Sequence, residues 1–143
     1  MKSLFAAAVL IAVAAPHRAT AQDSLLAARA RGSKTAPVTV YEMADFACPY
    51  CRTFALTTLP LIQKEYIATG KVRWIFINMP LTQIHPNAER TAEFAACAGK
   101  QGKFWQTHDR LYSTQDQWDS LKDPREFLMH QIAPLNLDPK VLT

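Results

Sequence analysis

An α/β fold built around a strand–helix–strand unit is predicted by three features of the chain. Residues 38–46, Val-Thr-Val-Tyr-Glu-Met-Ala-Asp-Phe, form an apolar, β-branched run that reads as a buried strand. Cys48-Pro49-Tyr50-Cys51 follows at once, and beyond it Phe54, Leu59, Ile62, Tyr66 and Ile67 recur at helical spacing. A second β-type run, Val72–Asn78, comes after Gly70. A helix between two such strands makes them parallel neighbours joined by a right-handed crossover.

Each segment has its own signal. Residues 1–21 have the features of an export signal peptide. Lys2 gives the positive start, Leu4 to Ala15 is apolar, and Ala19-Thr20-Ala21 is a small-residue site with cleavage expected after Ala21. That apolar run is too short to span a bilayer comfortably, so no stable membrane insertion is expected after cleavage. Residues 22–37, with Gly32 and Pro37, are expected to be a flexible lead or to add a marginal edge strand. Residues 38–143 then form one domain, long enough to bury a core. Pro60 should kink the helix that starts at Pro49, and Gly70 should stop it. After Pro80 the pattern becomes helical. Pro86 opens a helix running to Gly99 with a face of Ala88, Ala92, Ala95 and Ala96; Phe104, Trp105, His108, Leu111 and Tyr112 mark a second. Asp123-Pro124-Arg125-Glu126 starts a third, with a cap, a proline and a glutamate three residues on.

Composition narrows the function. The formal charge is +4, but Lys2 and Arg18 belong to the leader and the remaining cations are scattered among acids. No basic run is present to track phosphates, so nucleic acid is not an expected partner. The chemistry lies in the cysteines. Thiols at i and i+3 on a first helical turn share one side and can bridge. The unpaired amides of that turn favour a thiolate at the leading residue, Cys48, and Pro49 suits the first helical position. A structural zinc site wants four ligands in paired clusters, and the only other cysteine is Cys97, so no metal is expected. A purely structural bridge closing so short a loop would restrain the unfolded chain little. The pair therefore reads as a dithiol/disulfide redox centre that is its own electron carrier and needs no cofactor. An exported chain works in an oxidising compartment, periplasmic or secreted, where such chemistry is useful. Cys97, on an alanine-rich helical face, reads as a small packing residue. Glu42 has two open readings. It is a carboxylate buried in an apolar strand, with a raised pKa, or it points to solvent.

Residues 45–51 (Asp-Phe-Ala-Cys-Pro-Tyr-Cys), then His85-Pro86-Asn87-Ala88, then Gln101-Gly102-Lys103-Phe104-Trp105 with His108-Asp109, resemble the DsbA family of thioredoxin-fold thiol:disulfide oxidoreductases. The likeness runs from about Gly32 to the C-terminus. It implies a thioredoxin-like core with a helical insertion at about residues 81–140. It implies Cys48 as exposed nucleophile and Cys51 as resolving thiol, with Pro49 and Tyr50 completing the motif. Glu42 stands six residues before the nucleophile, where some members carry a buried acid that moves the proton of the resolving thiol. The implied partners are exported proteins with thiols or disulfides, and a redox partner that recycles the pair. In the family a cis-proline loop, two antiparallel strands and a last helix complete the fold. No such pattern precedes Thr143, so a truncated or partial member is expected, with the C-terminal strands missing. Such a chain should be weakly stable, with an open sheet face carrying Trp74, Phe76 and Met79. The expected function is exchange of disulfides with exported proteins. The alternatives are a reductase or isomerase of the same fold, or an inactive fragment with a vestigial pair.

Overall fold

The structure, a computed structural model, describes residues 21–138 and residue 140, with the side chains of 21–23 left aside. The expected signal peptide lies outside the described residues except at its last position. A helix, Ala21–Ala28 (α1), and a two-residue strand, Ala30–Arg31 (β1), come first. The lead, expected to be flexible or to add a marginal edge strand, carries a helix and a short edge strand. A strand of two residues carries no periodicity, so only its pairing reveals it. Gly32 makes the turn possible at φ +90°, and a Cβ there would stand 2.5 Å from the Val72 carbonyl oxygen.

The next strand, Val38–Ala44 (β2), and Val72–Asn78 (β3) run parallel in register from Val38↔Val72 to Ala44↔Asn78. β1 pairs antiparallel with the other edge of β3, giving the order β1-β3-β2. β3 is therefore central and buries Trp74, Ile75 and Phe76. β2 is the outer strand and has no partner on its far side among the described residues. The expected open face is corrected for two of its three residues, Met79 alone being exposed as expected. Trp74 and Phe76 are covered, because Phe54 stacks on Trp74 at 6.1 Å and Phe46 on Phe76 at 5.0 Å. The exposed apolar side chains of the sheet are Val38, Tyr41 and Met43 on β2.

Pro49–Thr53 (α2) and Leu59–Ile62 (α3) are α-helical, with wider π turns at Phe54–Thr58 and Gln63–Ile67. The Leu59 N–H reaches back five residues to the Phe54 carbonyl. The hydrogen-bond register has slipped before Pro60, which then sits at the start of α3 where a missing N–H costs little. Pro60 is accommodated by this slip, and Gly70 ends the stretch at φ +75° as expected.

The remaining described chain is helical: Ala88–Lys100 (α4), Phe104–Ser113 (α5), Gln115–Trp118 (α6) and Arg125–Ile132 (α7). The short α6 has no sequence signal of its own. α7 starts at Arg125 with Pro124 at its N-cap, one residue later than expected, and Asp123 just before it accepts the Arg125 N–H at 3.1 Å. Buried Asn87 ties the far end of α6 down, donating from Nδ2 to the carbonyls of Asp119 and Leu121 at 2.9 and 2.8 Å. Phe46, Phe76, Phe104, Tyr112, Trp118 and Leu128 meet in one core between helices and sheet. Each such side chain stabilises the fold by about 1.5–3 kcal/mol on burial.

Candidate active site

At the end of β2 the chain dives inward: Asp45, Phe46 and Ala47 are all buried, and the Cys48 N–H turns back to the Asp45 carbonyl at 3.2 Å. Asp45 organises this turn. Its Oδ1 accepts the Ala47 N–H at 2.8 Å, and its Oδ2 accepts the Leu81 N–H at 2.9 Å with His85 Nδ1 at 2.8 Å. The helical layer grips the same segment from outside. Gln115 Nε2 donates to the carbonyls of Phe46 at 2.6 Å and Cys48 at 3.0 Å, and the Tyr112 hydroxyl donates to the Asp45 carbonyl at 3.3 Å. Arg52, in the last turn of α2, donates from Nε to the Tyr112 carbonyl at 2.9 Å. Burial of the Tyr112 hydroxyl drives its pKa upward, and the nearby acidic groups add to that.

Cys48 stands at the N-cap of α2 in extended geometry, φ −79° and ψ 122°, with Pro49 just inside. Its carbonyl accepts the Arg52 N–H at 3.0 Å, the first bond of the helix. Pro49 and Tyr50 face solvent, Tyr50 at 84% exposure. Both motif cysteines are half-buried. The Cys51 thiol hydrogen-bonds with the Cys48 side chain and with the Asp45 backbone. Burial pushes the Cys51 thiol up to about 11, helped by Cys48 and the Asp45 charge and opposed by that backbone bond.

Cys51 opens onto a groove of about 420 Å³ at the outer edge of β2, lined also by Val40, Glu42, Tyr50, Phe54 and Trp74. Glu42 is half-buried in it, which chooses between the two readings of that residue. Its Oε2 accepts the Trp74 indole N–H at 2.7 Å, while Oε1 is buried with no hydrogen-bond partner among the described residues. Burial raises the Glu42 pKa, against the lowering effects of Trp74, His108 and Arg31. The structure thus brings Cys48, Cys51 and Glu42 to one end of the sheet. Cys97 is half-buried on α4. Among the described residues no cluster of three or more His, Cys, Asp or Glu side chains is placed to hold a metal ion.

Sequence reasoning missed the supports. Asp45 and His85 stood inside quoted motifs without a role; their signal was a charge and an imidazole flanking otherwise apolar stretches. Gln115 and Trp74 gave none, since their contacts span 67 and 32 positions. Chemically, two adjacent thiols of unequal surroundings beside an unmatched carboxyl can exchange sulfur partners and hand over a proton.

Comparisons with known proteins agree with this geometry. A family model described as Thioredoxin matches residues 25–137. A probable disulfide bond formation protein D of Bacillus anthracis is 37% identical over 101 residues, 71% of this chain and 44% of that protein. A Na(+)/H(+) antiporter NhaA 3 of Salinispora tropica is 42% identical over 87 residues, 61% of this chain but only 13% of that protein. The chain therefore spans less than half the length of either relative. The crystal structure of Wolbachia pipientis alpha-DsbA1 superposes with a TM-score of 0.69 at 27% identity, covering 80% of this chain and 56% of that one. No helix among the described residues is long and apolar enough to cross a membrane. By the match over residues 25–137 and the likeness to solved DsbA structures, the chain belongs to the thioredoxin family, in its DsbA group.

Proposed function

We propose that the chain carries the redox centre of an exported thiol:disulfide oxidoreductase, with Cys48 as nucleophile, Cys51 as resolving thiol and Glu42 as proton donor and acceptor. The observation that carries this reading is the inequality of the paired thiols. Cys48 caps a helix, and Cys51 lies one turn in with its pKa raised to about 11 beside Glu42 in the groove.

In the oxidised form a substrate thiolate attacks the Cys48 sulfur. The substrate–Cys48 bond forms as the Cys48–Cys51 bond breaks, and the electron pair leaves on Cys51. A thiolate whose acid titrates near 11 takes up a proton at neutral pH, and Glu42 supplies it. A second substrate thiolate then attacks the substrate sulfur of the mixed disulfide and releases Cys48 as thiolate. The substrate loses two electrons and the pair gains them, and a redox partner that accepts them restores the Cys48–Cys51 disulfide. Run in reverse, the same steps reduce or reshuffle a substrate disulfide, so direction follows the potential of the pair and its partner. The leader at residues 1–21 supports an exported site of action, and exported proteins with thiols or disulfides are the substrates that fit.

The test is catalysis by the full chain of disulfide formation in a reduced two-cysteine peptide, together with the reduction potential of the pair in glutathione buffers. A rate well above that of an equal concentration of free dithiol, lost in Cys48→Ala, is expected. A rate no higher than free dithiol would make the pair vestigial.

A further inference from the structure

A second cleft, of about 530 Å³, opens beside Ala47, the residue covalently next to Cys48. Its walls are the loop after β3, with Ile84, His85 and Pro86, and the turn after α6, with Leu121. It shares no lining residue with the groove that holds Glu42. Both walls are fixed within the fold. Asn87 Nδ2 donates to the carbonyls of Trp118, Asp119 and Leu121 at 3.3, 2.9 and 2.8 Å, which ties the turn to the loop. The His85 N–H donates to the Leu81 carbonyl at 2.9 Å, and the Leu81 N–H to Asp45 Oδ2 at 2.9 Å, which ties the loop to the motif segment. A pre-formed cleft of this size, apolar with a few placed polar groups, is the usual form of a binding site, and rigid walls lose little entropy when it fills.

The lining says what fits. Ile84 is 68% and Leu121 39% exposed, and Pro86 is exposed as well, so three apolar side chains are held in water around one cleft. Covering them with an apolar side chain is favourable. Asp119 and Lys122 at the rim carry opposite charges, which gives no preference for a charged guest. The placed polar group is His85. Both oxygens of Asp45 accept, from the Ala47 and Leu81 amides and from His85 Nδ1, so the ring proton sits on Nδ1 and the neutral ring keeps a lone pair on Nε2. With Nδ1 turned to a buried carboxylate, the opposite edge of the ring, bearing Nε2, is left to line the cleft. An extended polypeptide offers both an apolar side chain and a backbone N–H, and one flank of a substrate cysteine seated on Cys48 comes within reach of Ala47. We propose that this cleft holds the polypeptide flanking a substrate cysteine, with Ile84, Pro86 and Leu121 receiving an apolar side chain and His85 Nε2 accepting a backbone N–H. The proposal rests on the reading of Cys48 as the nucleophile and assigns the substrate class: extended segments with an apolar residue close to the reacting cysteine.

Binding can be read without turnover. Short unstructured peptides in which the cysteine is replaced by serine, each with one leucine moved along the positions beside it, are titrated into the 15N-labelled full chain and followed by NMR. At its best position the leucine should shift the amides of the 84–87 loop and the 119–122 turn, and a serine there should bind about fivefold more weakly or worse. Ile84→Ser combined with Leu121→Ser, both at exposed positions, should abolish that preference. His85→Asn keeps a donor for Asp45 and removes Nε2. N-methylation of the peptide amide that meets His85 should weaken binding to the unaltered chain about fivefold and change binding to His85→Asn by less than about twofold. Equal binding of the leucine and serine peptides, or shifts confined to the β2 groove, would overturn the proposal. So would cleft amides that move with protein concentration alone, the sign of a second copy in the cleft. Failure of the oxidoreductase reading would look different: no exchange with thiol peptides while the leucine peptide still shifts the cleft, which leaves polypeptide binding there standing.

Discussion

On the Cys48 side of the motif the polar groups are matched: one buried carboxylate takes two backbone amides and faces a histidine, and one amide side chain takes two carbonyls. On the Cys51 side, one helical turn away, an apolar groove holds a carboxyl with one oxygen unpartnered. The matched side behaves as a mount. Bonds from the loop at 81–85, α5 and α6 converge on residues 45–48, so the position of the Cys48 sulfur does not depend on one element. The unmatched side is where a proton can change hands, because neither protonation state of Glu42 is fully satisfied there. Rigid placement and proton mobility are thus divided between two neighbouring thiols.

The comparison breaks first if the thiols are interchangeable. Cys51→Ser should accumulate a mixed disulfide with a substrate peptide, seen by mass spectrometry of the non-reduced protein, whereas Cys48→Ser should accumulate none. Next in size are changes to the mount. Asp45→Ala strands the Ala47 and Leu81 amides and His85, and should cost about 3–5 kcal/mol in urea unfolding. Gln115→Ala strands two carbonyls and should cost about 1–3 kcal/mol.

The unmatched side predicts a pH effect of defined sign. Folding raises the Glu42 pKa above its ordinary 4.5, so its contribution to stability is full below that pH and is lost as pH rises through the folded value. Glu42→Gln should therefore flatten the stability–pH curve over that window and be the more stable protein above it. Smallest of all is Cys97→Ala. That residue lies half-buried on α4, and the change should cost on the order of 1 kcal/mol or less and leave the reduction potential unchanged.

Strands β2 and β3, the helix opening at Pro49, and the three longer helices of the second half were all legible, because each is a long apolar pattern with a clear stop. The cysteine pair was legible because its spacing carries its own chemistry. Four things were not. β1 is two residues long and is defined by what it pairs with; α6 is a single turn held by Asn87 and the core. The burial of Trp74 and Phe76 depends on which helices lie over the sheet, which a strand's own residues do not state. The mount around Cys48 is built by Gln115 and Tyr112, whose positions follow only from how the helical layer docks. Glu42 shows the boundary well. Its strand placement was evident, while its orientation had to await the indole of Trp74 across the ladder.

The division between the two thiols is tested most directly by alkylating the reduced full chain with iodoacetamide and following each cysteine by peptide mass spectrometry. Between about pH 5 and 8, Cys48 should label first and Cys51 should lag throughout, since the thiolate is the reacting form and the Cys51 thiol is pushed up to about 11. Equal labelling of the two cysteines across that range would contradict the account.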